Sequence, residues 1–240
     1  MNSDLGDIDL LVLCGGRGTR LSPILPNKPK ILAEINGRPF IDYLLSYLET
    51  EGIKKVFLCT GYMHELIEEW VKSIYSGNLQ IIFSHESKPL GTAGAIKNAE
   101  SQIRGDHFFV INGDTYLKLK YSDFLQFHLL SESVATLAIT EGSENRQSGN
   151  IEIDSENRII CFTEKPLGIN KTSFLNTGVY CFSRFILDLI PESKNYSLEY
   201  DCFPKLISQV DKYFFGYPIS DNFTDIGTPQ DYFKAFQSLL

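Results

Sequence analysis

Between residues 13 and 30 the chain reads LCGGRGTRLSPILPNKPK, with three glycines and four cations (Arg17, Arg20, Lys28 and Lys30) directly after an apolar run. Glycines let the backbone approach a ligand closely, and successive N–H groups can cradle phosphate oxygens. With four positive side chains added, this is the chemistry of a bound polyanion. The stretch is not a Walker-type loop, because it lacks GK followed by Ser or Thr. It is not a dinucleotide fingerprint either, because Leu21 stands where Gly or Ala is needed. Pro23, Pro26 and Pro29 oppose a helix starting there. A second stretch, ESKPLGTAGAI (86–96), offers Gly91 for close approach of a planar ring, with a helix opening at Thr92. A third, INGDT (111–115), places Asp114 where a carboxylate could hold Mg²⁺ beside phosphate. Taken alone, a GxG is most often a glycine turn and an NGD a turn aspartate. Together they make ligand binding the stronger reading.

The surrounding pattern positions all three. IDLLVLC (8–14) is a continuous apolar run, as expected of a strand buried on both faces. FIDYLLSYLETEG (40–52) has helical periodicity and stops at Gly52. Strands are then expected at 54–60, 79–84 and 106–113, and helices at 63–75 and 91–103. This alternation predicts an α/β fold: a Rossmann-like, mixed, mostly parallel central sheet flanked by helices. In such sheets ligands bind beyond the carboxyl ends of the strands, which is where the three motifs fall. After residue 130 the rhythm changes to short strands (VATLAIT, NIEID, RIICFTEK, TGVYCF), predicting a smaller antiparallel layer. Helical patterns return at 197–210 and 228–240.

Composition sets the bounds. The 240 residues suit one well-buried domain, or one domain with a large insertion, with 43% hydrophobic and 22% charged residues. The net charge of -8 argues against nucleic acid as a partner. It also repels a triphosphate only weakly, since salt screens it over ~8 Å, whereas the loop cations act at contact distance. No run reaches membrane-spanning length, and the acidic start (Asp4, Asp7, Asp9) does not read as a secretion signal. Five singly spaced cysteines (Cys14, Cys59, Cys161, Cys181, Cys202) read as reduced core thiols. The expected location is the cytoplasm.

In order along the chain, GGRGTRL, Lys28-Pro29, PLGTAGA, NGD, FTEKP (162–166), LNTGVY (175–180) and FTDIGTP (223–229) resemble the sugar-1-phosphate nucleotidylyltransferase family. The resemblance covers roughly residues 8–240. The short length and SLEYD (197–201) are most similar to the D-glycero-α-D-manno-heptose 1-phosphate guanylyltransferases, and no C-terminal β-helix of hexapeptide repeats follows. The resemblance implies one nucleotidyltransferase domain over 1–240, with a nucleotide-binding half at about 8–130 and a sugar-binding half at about 131–240. It implies that a sugar 1-phosphate attacks the α-phosphorus of an NTP in line, with Mg²⁺ as cofactor, pyrophosphate leaving and no covalent protein nucleophile. The partners implied are GTP or another NTP and a sugar 1-phosphate. Membrane is not among them, and a homo-oligomer is left open.

Residue by residue, the resemblance assigns Leu13, Gly15, Gly16, Gly18, Thr19, Glu86, Gly91, Thr92 and Asn112 to nucleotide binding. It assigns Arg20, Lys28 and Asp114 to catalysis, with Lys28 near the α-phosphate, and Asp114 with Asp225 to the metal. Gly149, Glu164, Lys165, Asn176 and Thr177 are assigned to the sugar phosphate. An isolated Glu-Lys is usually a surface charge pair. The place of Glu164-Lys165 before Pro166, in family order, favours function. Cys14 stands where many relatives have Ala, and Lys30 where an apolar residue is common, so Lys30 either adds to the anion field or points to solvent.

Glu86 stands where thymidylyl- and uridylyl-transferring relatives commonly have Gln. An ionised Glu only accepts hydrogen bonds, and guanine presents N1–H and N2–H side by side, so GMP is the favoured group. The sugar favoured is D-glycero-α-D-manno-heptose 1-phosphate. Mannose 1-phosphate, or a uridylyl- or thymidylyl-transferring activity, is the alternative. A nucleotide-sugar glycosyltransferase would typically carry a paired Asp-x-Asp, and NGDT has one Asp. A non-catalytic regulatory homologue would be expected to have lost Arg20, Lys28 or an aspartate, and all are present.

Overall fold

The computed structural model describes residues 5–141, 150–163, 174–209, 213–220 and 223–239. Its frame is a nine-stranded sheet. Four parallel strands follow the expected alternation: β1 (Asp9–Leu13), β2 (Lys55–Thr60), β3 (Gln80–His85) and β4 (His107–Asn112). β1 lies between β2 and β4, and β3 is on the outside of β2. The helices between them are α1 (Phe40–Thr50), α2 (His64–Ser73) and α3 (Gly91–Asn98).

The continuous apolar run of β1 follows from burial on both faces. Leu10 and Val12 pack with Leu44, Leu45 and Leu48 of α1 and Ile67 and Trp70 of α2. Leu11 points the other way, to a cluster with Ala93 and Ile96 of α3. A third cluster joins Leu21, Ala33, Ile35 and Phe40 to Ile226, Tyr232 and Ala235. It docks the C-terminal helix against the far side of the glycine loop.

The strands after residue 130 extend the same sheet. These are β5 (Ala135–Glu141), β6 (Asn150–Ile153), β7 (Ile159–Thr163), β8 (Phe174–Ser183) and β9 (Phe214–Ile219). The ten-residue β8 is the hub. Its second half pairs antiparallel with β4, and its first two residues pair with β6, which carries β7. Its other edge pairs with β5, with a register irregularity between Asn176 and Tyr180, and β9 closes that side in parallel. The antiparallel part is therefore continuous with the parallel part through one long strand.

A further helix, α4 (Tyr121–Leu130), falls where the sequence reading assigns none. Its buried positions Tyr121, Phe124, Leu125 and His128 have helical spacing, but two of the four are polar types. Helix 91–103 is shorter than expected, ending at Asn98 before a 3₁₀ turn at Glu100–Gln102. The 197–210 pattern resolves into a π-turn (Leu198–Cys202) and α5 (Phe203–Gln209). α6 (Pro229–Ser238) starts as Thr228 and Pro229 dictate, the Thr228 hydroxyl accepting from Asp231 N.

Candidate active site

The C-terminal ends of β1, β3 and β4 open into a cavity of about 450 Å³. Its lining includes Leu13, Gly15, Gly16, Gly18, Thr19, Arg20, Glu86, Gly91, Thr92, Asn112 and Asp114, all expected from the sequence. Cys14, Lys30, Ile31, Pro89, Ala95, Gly113, Asn195 and Gly227 complete it.

The glycine loop leaves β1 without becoming a helix. The N–H groups of Leu21 and Ser22 both donate to Gly18 O (2.9 and 3.0 Å), and Leu21, 1% exposed, anchors the turn in the third cluster. The loop base is strapped to its neighbours: Cys14 N donates to Cys59 O, Gly113 N to Leu13 O and Tyr62 N to Gly15 O. Glu86 lies against this strap. A Cβ on Gly15 would sit 2.9 Å from its Oε1, so a side chain there would displace the Glu86 carboxylate. Glu86 Oε2 accepts from Leu90 N at 3.2 Å. Burial raises the Glu86 carboxyl above the ordinary range, partly offset by that N–H.

The two expected metal carboxylates come together although they are far apart in sequence. Thr115–Tyr116 pairs antiparallel with Thr224–Asp225, and Ile226 N donates to Asp114 O at 3.0 Å. Asp114 Oδ2 forms an ion pair with Lys30 Nζ, and Asp225 Oδ1 accepts from Gly227 N. Burial first, and the charge of Asp114 second, push the Asp225 carboxyl upward, while Lys30 opposes this. Two carboxylates and one ammonium thus meet at the mouth of the glycine loop.

The cation in this cluster is Lys30 rather than Lys28. Lys28 does not line the cavity. Its Nζ turns to Glu34 Oε1 at 2.6 Å, a pair whose side chains are 35% and 60% exposed. Lys30 opens a 3₁₀ turn whose next residues, Ile31 and Leu32, are buried, and its side chain is only 16% exposed. The apolar pair pulls the backbone inward and carries Lys30 to Asp114.

Thr177 also departs from expectation. Its side chain is spent inside the sheet, the hydroxyl donating to Ala138 O at 2.7 Å. Asn176 lies outside the cavity lining, with Oδ1 accepting from Gly178 N and Nδ2 donating to Tyr180 OH. Gly149, Glu164 and Lys165 lie outside the described residues. Cys14 is buried and its thiol donates to Cys59 O at 3.3 Å. Burial, then Cys59 and Glu86, raise that thiol well above its ordinary range, which makes it a poor nucleophile. Asn195, which donates to Pro89 O, had no signal in the local sequence. Among the described residues no three His, Cys, Asp or Glu side chains form a metal cluster, and no helix is long and apolar enough to cross a membrane.

Residues 10–240 match the family model described as nucleotidyl transferase. The chain is 35% identical over 232 residues to D-glycero-alpha-D-manno-heptose 1-phosphate guanylyltransferase of Aneurinibacillus thermoaerophilus, covering 97% of this chain and 98% of that one. It is 34% identical over 233 residues to mannose-1-phosphate guanylyltransferase of Mycobacterium tuberculosis, covering 97% of this chain but 65% of the longer relative. Among solved structures, HddC from Yersinia pseudotuberculosis complexed with GMP-PN superposes with a TM-score of 0.85 at 34% identity, covering 97% of this chain and 100% of that one.

Proposed function

The chain belongs to the nucleotidyl transferase family, and from that premise we propose that it transfers GMP from GTP to D-glycero-α-D-manno-heptose 1-phosphate, releasing pyrophosphate. The observation that carries the site assignment is the meeting of Lys30, Asp114 and Asp225 beside the glycine loop. Relatives named for guanylyl transfer support the base, and one of them, matched over nearly its whole length, supports the heptose. The structural neighbour complexed with GMP-PN supports the base as well.

Both reactants are anions, so catalysis here is positioning plus charge stabilisation. The N–H groups from Gly15 to Thr19 cradle the phosphates, and Arg20 stabilises the departing pyrophosphate. Lys30 takes the part that the sequence gives to Lys28, delivering its ammonium where charge builds on the α-phosphate. Glu86 accepts from N1–H and N2–H of guanine with the lone pairs that Leu90 leaves free. The sugar 1-phosphate oxygen forms the new bond to the α-phosphorus as the bond to pyrophosphate breaks.

Asp114 and Asp225 fit a divalent cation. They are two carboxylates close enough that the charge of Asp114 raises the proton affinity of Asp225, which suits a hard ion that takes its remaining ligands from phosphate and water. Mg²⁺ is our proposal for that ion, and when bound it would neutralise phosphate charge.

The test is product identification. GTP and the heptose 1-phosphate, incubated with the protein and Mg²⁺, should yield GDP-heptose and pyrophosphate in equal amounts by anion-exchange chromatography and mass spectrometry. GDP-mannose from mannose 1-phosphate instead would move the sugar assignment. No product from any NTP would overturn the activity.

A further inference from the structure

Two polar side chains in the second half of the chain touch no expected substrate position and yet link the residues that do. Tyr180 is fully buried, its ring stacked on Phe182 (centroids 5.6 Å apart) and tilted against Phe203 (5.8 Å). A buried phenol needs partners for its hydroxyl. Here it accepts from Asn176 Nδ2 at 2.9 Å and donates to Glu199 Oε1 at 3.4 Å.

The directions of these bonds are forced. Asn176 Oδ1 already accepts from Gly178 N at 3.0 Å, so the amide nitrogen must face Tyr180. Glu199 Oε2 accepts from the hydroxyls of Thr92 (2.9 Å) and Ser197 (2.8 Å). Each of those hydroxyls is itself an acceptor, Thr92 from Leu198 N and Ser197 from Glu199 N and Tyr200 N. Their only hydrogens therefore point at Glu199. Three hydroxyl donors end on one carboxylate, which sits in the π-turn Leu198–Cys202. Thr92 lines the nucleotide cavity, while Asn176 belongs to the strand assigned to the sugar phosphate.

We propose that Tyr180 and Glu199 are positioning residues that lock Asn176 to Thr92, so that recognition of the sugar phosphate depends on a hydroxyl and a carboxylate that touch neither substrate. This rests on the reading of Asn176 as part of the sugar-phosphate subsite.

The test is steady-state kinetics on Tyr180→Phe, Glu199→Gln, their double variant and Asn176→Ala, with GTP and the heptose 1-phosphate varied in turn (mannose 1-phosphate if product identification selects it). Tyr180→Phe keeps the ring packing and removes only the hydroxyl. It should raise KM for the sugar phosphate roughly tenfold, more than KM for GTP, the loss of about one hydrogen bond to a constrained group. Glu199→Gln places an NH₂ against hydroxyl donors and should give a shift of the same kind. The double variant should fall short of the product of the two, because both act on one network. A sugar-phosphate KM within about twofold of wild type in Tyr180→Phe and Glu199→Gln would overturn the proposal if Asn176→Ala raises it severalfold. A lowered melting temperature with that KM unchanged would make the network purely structural and overturn it too. An unchanged KM in Asn176→Ala would remove the subsite reading itself, and the proposal with it.

Discussion

Lys30→Met keeps most of the aliphatic stem and removes one charge from the cluster with Asp114 and Asp225. Unit charges about 4 Å apart interact by roughly 4 kcal/mol at an effective dielectric constant near 20, typical of partly buried sites. Removing one preorganised group aimed at charge that develops in the transition state costs about 10²–10³ in kcat. We therefore expect Lys30→Met to lose about two to three orders of magnitude in turnover, with KM for GTP changed much less. Lys28→Met is the matched control. Its pair with Glu34 is largely exposed, and such pairs contribute little, so turnover should stay within about threefold of wild type. Pyrophosphate release in a coupled assay reads both, with melting temperatures measured alongside to exclude unfolding. Near-normal turnover in Lys30→Met, or a larger loss in Lys28→Met, would refute the reasoning and return the role to Lys28.

Other expectations rest on separate parts of the structure. Glu86→Gln should lower the preference for GTP over UTP by about tenfold in kcat/KM, the contribution of a charge-assisted contact, and an unchanged ratio would show that Glu86 does not read the base. Gly91→Ala should destabilise the start of α3 by about 2–4 kcal/mol, because Gly91 has φ +74° and a Cβ there would lie 2.6 Å from Tyr196 O. A urea midpoint within error of wild type would contradict this. His128 is buried against Thr136 and His107, and burial lowers it from 6.5 to about 3. The folded state therefore resists the proton that the unfolded chain takes up. The stability this residue contributes is full above its unfolded value and is lost as pH falls toward its folded one, amounting to roughly 2 kcal/mol by pH 5. Denaturation at pH 7.5 and pH 5 should show a smaller acid loss in His128→Gln than in wild type, and equal losses would count against it.

How much of this was legible in the sequence depends on what each residue's environment reports locally. Three of the parallel strands, β1, β2 and β4, were legible because burial on both faces leaves a continuous apolar run. The glycine loop and the two aspartates stand out in the sequence as separate motifs, and the fold brings Asp114 and Asp225 together with Lys30. Lys28 and Lys30 were not separable, because side-chain direction in an irregular loop is set by what is buried next to it, here Ile31 and Leu32. Thr177 read as a pocket residue because a hydroxyl gives no sign of whether it faces a ligand or a carbonyl such as Ala138 O. α4 was obscured by His128, a polar residue in a core position. The network through Tyr180 had no local trace, since Tyr180 and Glu199 are 19 residues apart and Thr92 and Glu199 are 107.

The measurement that tests the account most directly is pyrophosphate release with Mg²⁺ across GTP, UTP, dTTP, CTP and ATP, each paired with the heptose, mannose and glucose 1-phosphates, in wild type and Lys30→Met side by side. Release should require both substrates, be fastest with GTP and the heptose 1-phosphate, and collapse in Lys30→Met. Release led by UTP or dTTP, or undiminished in Lys30→Met, would contradict it.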